Sequence, residues 1–244
     1  MRKIGLIPSR YASSRLPGKP LLKVQGLPMV QRVYQQAEQA QLDELYVATD
    51  DERIAECVEH FGGKYILTSK SHPSGSDRVF EAATKLNAQS GDIIVNIQGD
   101  EPFLPPIMVK QVVQCFSDAK VELATLAAKI ENADQLFNVN VPKVLIDRKG
   151  YARYFSRSPL PFLREVEKED WLSHHTFYKH IGLYAYRFQA LKEICEYPPG
   201  SWEKAEKLEQ LRWLENGSNI KVAITTFESQ GIDTEEDLKA ANAV

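Results

Sequence analysis

Cysteine is scarce in this chain of 244 residues, which has only Cys57, Cys115 and Cys195. Three widely spaced cysteines in apolar-periodic segments exclude a disulfide scaffold and read as buried free thiols of a reducing compartment. Long hydrophobic runs are missing too, and none approaches the roughly 18 residues that suggest a membrane span. The basic start Met1-Arg2-Lys3 is followed by an apolar stretch of only Ile4 to Ile7, too short for a signal peptide. There is no repeat, no low-complexity tract and no Gly/Ser linker. Nor is there an excess of one charge: 30 basic and 33 acidic residues leave −3, which argues against bulk binding to nucleic acid or an anionic membrane surface. What is present, 43% hydrophobic and 26% charged residues, is the mix of a soluble globular protein, expected in the cytoplasm. A chain of this length builds a core without a disulfide or a structural metal.

Strand-like runs alternate with helix-like ones, which points to an α/β fold. Lys3 to Pro8, Leu45 to Thr49 and Ile93 to Gln98 read as strands, the last nearly continuous in apolar residues and suited to burial on both faces. Between them, Val30, Val33, Ala37 and Ala40 share one helix face, as do Ile54 and Val58, and then Val79, Ala82 and Leu86. The order predicts a Rossmann-like, mostly parallel central sheet with right-handed crossovers, flanked by helices. In the second half, strands are expected over Leu123 to Ile130, Lys143 to Ile146, Ala152 to Phe155, Lys179 to Tyr186 and Lys221 to Phe227. Ala205, Leu208, Leu211 and Leu214 predict one helix from Trp202 to Asn216, stopped by Gly217. No domain boundary is evident, so residues 1–244 are expected to form a single domain, with 147–175 as an inserted arm.

Acidic residues are absent from Met1 to Ala37, where seven Lys and Arg occur. Within this stretch Arg10, Arg15 and Lys19 are interleaved with Ser13, Ser14 and Gly18, directly after the first strand. Open parallel sheets place ligand-binding loops there, and guanidinium forks, an ammonium and free backbone N–H groups suit a triphosphate. A solvated basic loop is the bland alternative. The loop is neither a Walker A motif nor GxGxxG, since Lys19 is followed by Pro20. In Val95-Asn-Ile-Gln-Gly-Asp-Glu-Pro102 a buried strand ends at Gln98, and Asp100 lands at the carboxyl edge of the sheet. It is either a turn aspartate or a one-point anchor for Mg²⁺, an ion that takes its other ligands from water and substrate phosphates. Glu101 gets no metal role. Asp233, before the last helix, has capping-box spacing to Glu236, as Thr234 has to Asp237, and Asp233 is either a cap or a second metal carboxylate. His72-Pro-Ser-Gly-Ser-Asp-Arg78 opens a helix, with Ser76 or Asp77 as its cap and Arg78 free to pair with a carboxylate. HExxH and GxSxG are absent, which disfavours a zinc enzyme and a serine hydrolase.

These segments together resemble one family. IPSRYASSRLPGKPL, ATDDERI, VNIQGDEP, HPSGSDR, YFSRSPLPF, KHIGLYAYR, KLEQLRWLENG and GIDTEEDL, in this order and nearly end to end, are similar to the 3-deoxy-manno-octulosonate cytidylyltransferases. The resemblance implies the nucleotide-diphospho-sugar transferase type of fold and a homodimer. It also implies transfer of CMP from CTP to 3-deoxy-manno-octulosonate (Kdo) with release of pyrophosphate, for lipopolysaccharide assembly. On the matching positions, Arg10, Ser13, Arg15 and Lys19 would hold the triphosphate. Asp100 and Asp233 would hold Mg²⁺. Arg78, Gln98, His180, Tyr184, Glu209 and Gln210 would surround the sugar, with Arg157 on a closing arm.

The chain departs from the family pattern in four places. Ser74-Gly75-Ser76 stands for the usual SGT, and a proline has moved to just before Lys143. Trp202 replaces a smaller residue or leucine, and Glu235 a usual proline. None touches the phosphate loop or the two aspartates, whereas the sugar, Kdo or an 8-amino form, is left open. The rival readings are another sugar-acid cytidylyltransferase, such as one for sialic acid, and a catalytically idle nucleotide binder. The RLPGKP run opposes the first, and a second metal carboxylate opposes the other.

Overall fold

The computed structural model describes residues 1–12 and 16–243; the expectations for Ser13 and Arg15 lie outside the described residues. Strand β1 (Lys3–Ser9) sends Ile4 and Leu6 to one face of the sheet and Ile7 to the other, the period-two pattern that lets one strand serve two cores. A short hairpin, β2 (Lys23–Val24) and β3 (Leu27–Pro28), leads into helix α1 (Met29–Glu38). Then follow β4 (Glu44–Thr49), α2 (Glu52–His60), β5 (Tyr65–Leu67), α3 (Gly75–Lys85) and β6 (Ile93–Asn96). The stripes read from the sequence are the buried ones. Val30, Val33, Ile54 and Val58 pack on the Ile7 face, and Val79 and Ala82 on the Ile4 face.

β1 pairs in parallel with both β4 and β6, and β4 pairs in parallel with β5. The expected β-α-β order therefore holds. Its one addition to the main sheet is β5, whose three residues are too few to show a period.

The second half contains α4 (Pro106–Gln114), β7 (Leu123–Lys129), α5 (Ala133–Phe137), β8 (Lys143–Ile146), β9 (Ala152–Ser156) and α6 (Trp171–His174). It continues through β10 (Tyr178–Arg187), α7 (Phe188–Glu196), α8 (Ser201–Glu206), α9 (Gln210–Glu215), β11 (Ile220–Thr225) and α10 (Glu235–Asn242). The sheet order is β11-β7-β10-β6-β1-β4-β5. Only the pairings of β10 with β6 and β7 are antiparallel along this path, so the sheet is mostly parallel, with helices on both faces. Off the path, β8 and β9 form an antiparallel hairpin that touches β10 at Lys143 and Lys179. Beyond it, Trp171 forms a separate small cluster with Ile130, Leu136 and Phe177.

Two expectations need correction. The helix foreseen from Trp202 to Asn216 is broken: α8 ends at Glu206, Lys207 adopts φ 54 and ψ 45, and α9 begins at Gln210. Leu208 and Leu211 are buried as the stripe requires, but Ala205 is exposed. The break has a tertiary cause, because the Glu206 carboxylate accepts hydrogen bonds from Ser156 Oγ (2.7 Å) and the Arg157 N–H (2.9 Å). Gly217, at φ 86, ends α9 as expected, and its N–H donates to the Leu214 carbonyl. The three cysteines are free, as foreseen, but only partly buried. Among the described residues, no helix is long and apolar enough to cross a membrane.

Candidate active site

The carboxyl ends of β1 and β6 lie side by side, and the loops that leave them meet. After β1 the chain turns back on itself: the Gly18 N–H donates to the Tyr11 carbonyl (3.1 Å). Gly18 takes a left-handed φ of 67 that suits glycine. This return brings Lys19 into place, with its Nζ 2.7 Å from Asp100 Oδ2 and 2.9 Å from Asp233 Oδ1. After β6, Gly99 presses against β1 so closely that a Cβ there would stand 2.8 Å from the Pro8 carbonyl oxygen. Only glycine lets the Asp100 turn approach β1 this tightly.

Asp233 arrives from the far end of the chain. The Ile232 N–H donates to the Asp100 carbonyl (2.9 Å) and fastens the two acidic segments together. The cap of α10 is Thr234, whose hydroxyl accepts from the Asp237 N–H, while the Asp237 carboxylate accepts from the Thr234 N–H. The cap reading of Asp233 therefore falls, and its carboxylate turns to Lys19. One ammonium held between two carboxylates marks a place for a cation. No group of three or more His, Cys, Asp or Glu side chains able to hold a metal occurs among the described residues. A divalent ion there would draw its remaining ligands from phosphate oxygens and water, which fits Mg²⁺. Glu101, next door, is a different kind of acid. Burial pushes its carboxyl up to about 7, with the Asp100 charge adding to the shift.

A cavity of about 280 Å³ spreads from this cluster, lined among others by Arg10, Lys19, His72, Arg78, Gln98, Asp100 and Asp233. A second cavity, about 120 Å³, is lined by Asn96, Tyr184, Glu209, Gln210 and Trp213. Pro8, Gly75 and Gln98 line both, so the two adjoin. The Gln98 Nε2 donates to the Gly182 carbonyl at the bulge in β10 (2.8 Å), which fixes the wall between them. In the second cavity, Asn96 Oδ1 and Gln210 Nε2 are buried with no hydrogen-bond partner among the described residues. Unmet polar atoms in a buried wall are costly unless a ligand satisfies them. Burial also pushes the Glu209 carboxyl upward, against the pull of Arg212 and the Ser74 and Ser76 hydroxyls.

Not every residue expected around the sugar reaches the second cavity. Gln98, Tyr184, Glu209 and Gln210 do. Arg78 lines the first cavity, where its guanidinium is 3.3 Å from Asp50 Oδ2 and donates to Thr68 Oγ1 (2.6 Å). His180 and Arg157 line neither. His180 stands behind Tyr184, 5.3 Å between ring centroids, with Nε2 3.1 Å from Thr125 Oγ1. Burial holds its imidazole down at about 3. Arg157 instead donates to the main-chain carbonyls of Val139, Glu206 and Lys207. The cap of α3 is Ser74 and not Ser76 or Asp77. Lys143 is fully buried, with its Nζ donating to the Asn138 carbonyl (2.9 Å). The lining residues that escaped the sequence reading include Ser9, His72, Asn96 and Trp213. Asn96 had a signal, as the polar member of an otherwise apolar strand. His72 sat in a quoted motif, and its Nε2 contacts the Glu81 carboxylate.

Comparison with known proteins now bears on this geometry. A family model described as cytidylyltransferase matches residues 4–221. The 3-deoxy-manno-octulosonate cytidylyltransferase of Parabacteroides distasonis is 52% identical, over 100% of this chain and 98% of that protein. The protein of the same name from Vibrio parahaemolyticus is 46% identical, over 98% and 96%. A solved structure of CMP:2-keto-3-deoxy-manno-octonic acid synthetase complexed with CTP superposes with a TM-score of 0.92 at 40% identity, covering 100% of this chain and 98% of that one. The 4-diphosphocytidyl-2C-methyl-D-erythritol synthase of Anaerococcus prevotii shares the fold alone, with a TM-score of 0.60 at 18% identity over 99% and 97% of the two chains. The chain belongs to the cytidylyltransferase family, among the 3-deoxy-manno-octulosonate cytidylyltransferases.

Proposed function

We propose that this protein transfers the cytidylyl group of CTP to the anomeric hydroxyl of Kdo and releases pyrophosphate, supplying an activated sugar for lipopolysaccharide assembly. One observation carries the reading. Lys19, Asp100 and Asp233 converge on a cavity that adjoins a second, polar one. The names of the relatives supply the nucleotide and the sugar.

The first cavity would take the nucleotide. Arg10 and Lys19 would bind the triphosphate and meet the charge that grows on departing pyrophosphate; the resemblance adds Arg15 and Ser13 to that role. Asp100 and Asp233 would hold Mg²⁺, which when bound offsets phosphate charge and polarises the α-phosphate. In the second cavity Gln98, Tyr184, Glu209 and Gln210 would orient the sugar, with Asn96 Oδ1 accepting from a hydroxyl and Gln210 Nε2 donating to one. The sugar's anomeric oxygen would then bond to the α-phosphorus in line with the breaking bond to pyrophosphate. Positioning and charge neutralisation supply most of the catalysis in such a transfer. His180 backs the Tyr184 ring, and Arg78 is a paired wall residue of the first cavity.

A cytoplasmic, homodimeric protein is part of the same proposal. The free cysteines support the first. The family resemblance supports the second. The deciding assay measures pyrophosphate release with CTP, Mg²⁺ and one of three acceptors: Kdo, its 8-amino form or sialic acid. Turnover with Kdo is the expected result. Turnover with sialic acid alone rejects the sugar, and turnover with none rejects the enzyme.

A further inference from the structure

The corner between α8 and α9 delivers Glu209 and Gln210 to the second cavity, and it rests on a backbone conformation that lysine rarely adopts. Lys207, at φ 54 and ψ 45, lies in the left-handed region, which costs any residue with a Cβ. Helix α8 ends there, so its final carbonyls need donors from elsewhere. The Lys207 N–H meets the Glu203 carbonyl (2.7 Å), and Arg157, directly after β9, meets the last one, that of Glu206. Its Nε donates to the Glu206 carbonyl (2.7 Å) and its Nη2 reaches the Lys207 carbonyl (3.4 Å). Its Nη1 donates to the Val139 carbonyl (2.9 Å) on the loop whose Asn138 is held by Lys143. The same corner is gripped again through the Glu206 carboxylate, which accepts from Ser156 Oγ and the Arg157 N–H.

We infer that Arg157 is a positioning residue for the sugar cavity, fixing the strained Lys207 corner so that Glu209 and Gln210 face the ligand, which Arg157 itself need not touch. The inference rests on the proposed function for the identity of that ligand. Its physical basis is that the guanidinium fork reads three carbonyls from two segments, a geometry that lysine cannot reproduce. Without the fork, Lys207 would relax toward the ordinary helical region and turn the next two side chains away. Lys19, Asp100 and Asp233 stand on other elements, so the nucleotide end should not feel the change.

The test uses Arg157→Met, which keeps an unbranched stem but removes every guanidinium donor. The sugar KM should rise about tenfold or more, the scale on which small misplacements act, while the KM for CTP stays within about twofold. Adding Lys207→Gly should recover about fivefold of the loss, because glycine adopts the left-handed backbone freely. Arg157→Lys should resemble Arg157→Met and serves in its place if that variant does not fold. Were Arg157 a direct counter-ion of the sugar carboxylate, Arg157→Lys would retain much of the affinity and Lys207→Gly would rescue nothing.

Hydrogen exchange without substrate gives an independent readout. Amides of residues 208–211 should exchange faster in Arg157→Met and slow again in the double variant. An unchanged sugar KM, an equal rise in both KM values, or a failed glycine rescue overturns the inference. If the wild-type protein turns over no Kdo, exchange alone decides. Faster exchange upholds the corner's dependence on Arg157 while the proposed function fails, and unchanged exchange rejects that dependence.

Discussion

The ammonium of Lys19 lies 2.7 Å from the Asp100 carboxylate, and the same nitrogen is 2.9 Å from Asp233. A lysine so placed competes with any metal for the two acids. Lys19→Met should therefore tighten Mn²⁺ binding in the absence of nucleotide by about tenfold or more, the scale of one close charge at the protein surface, while weakening CTP. Paramagnetic titration checks the first and calorimetry the second. Mn²⁺ affinity that is unchanged or lower would dismiss the competition.

Asp100→Asn should cost turnover about 100-fold or more, as loss of a group that supports transition-state charge does. Folding should be little affected. The Asp100 side chain is 34% exposed, and its contribution to the segment's closure is a main-chain carbonyl bonded by Ile232. Thermal melts beside steady-state rates separate the two effects, and full activity at saturating Mg²⁺ would contradict the assignment.

Arg10 is exposed at the rim of the first cavity. Its replacement by alanine should leave the melting temperature near that of wild type and lower kcat by roughly 100- to 1,000-fold, within the span of electrostatic catalytic donors. An unaltered kcat at saturating CTP would remove Arg10 from the chemistry.

Glu101 offers a pH signature. Its folded-state value is raised from 4.5 to about 7, so the folded protein keeps a proton that the unfolded chain has already released. The group's contribution is fully present below pH 4.5 and is lost as pH rises through 7. Glu101→Gln should be near neutral for stability at pH 4.5 and stabilising at pH 8, by up to about 3 kcal/mol. Urea melts at the two pH values check it; equal effects at both would show that Glu101 ionises freely.

His180 has the opposite sign. Burial lowers its imidazole from 6.5 to about 3, so stability is present above pH 6.5 and falls as the unfolded chain takes up the proton, by at most about 1.4 kcal/mol per pH unit. His180→Phe should flatten the acid limb of the stability curve between pH 6.5 and 4. An identical limb in the variant would mean that other groups dominate.

The strands of the nucleotide half were legible because parallel strands buried on both faces are nearly continuous in apolar residues, as Ile93 to Val95 are. The lysine and two acids were legible as chemistry at strand ends, although only the resemblance tied Asp233 to a metal and not to a cap. What the sequence concealed was tertiary. The stripe through Leu208, Leu211 and Leu214 continues across Lys207 as though one helix ran through it. The hydrogen bonds that interrupt it come from Ser156 and Arg157, about 50 positions earlier. Arg157 looked like a ligand of the sugar for a related reason. Its guanidinium is absorbed by carbonyls that no local pattern announces.

The separation of the three charged residues along the chain has a consequence for synthesis on the ribosome. Lys19 and Asp233 stand 214 positions apart. A nascent polypeptide can pair most of its strands while the second carboxylate is still inside the exit tunnel. On the proposed function, such a chain would have the loop after β1 with only one acid beside it, able to attract nucleotide and unable to process it. On that same proposal, competence would wait for the synthesis of Asp233, whatever has folded before it.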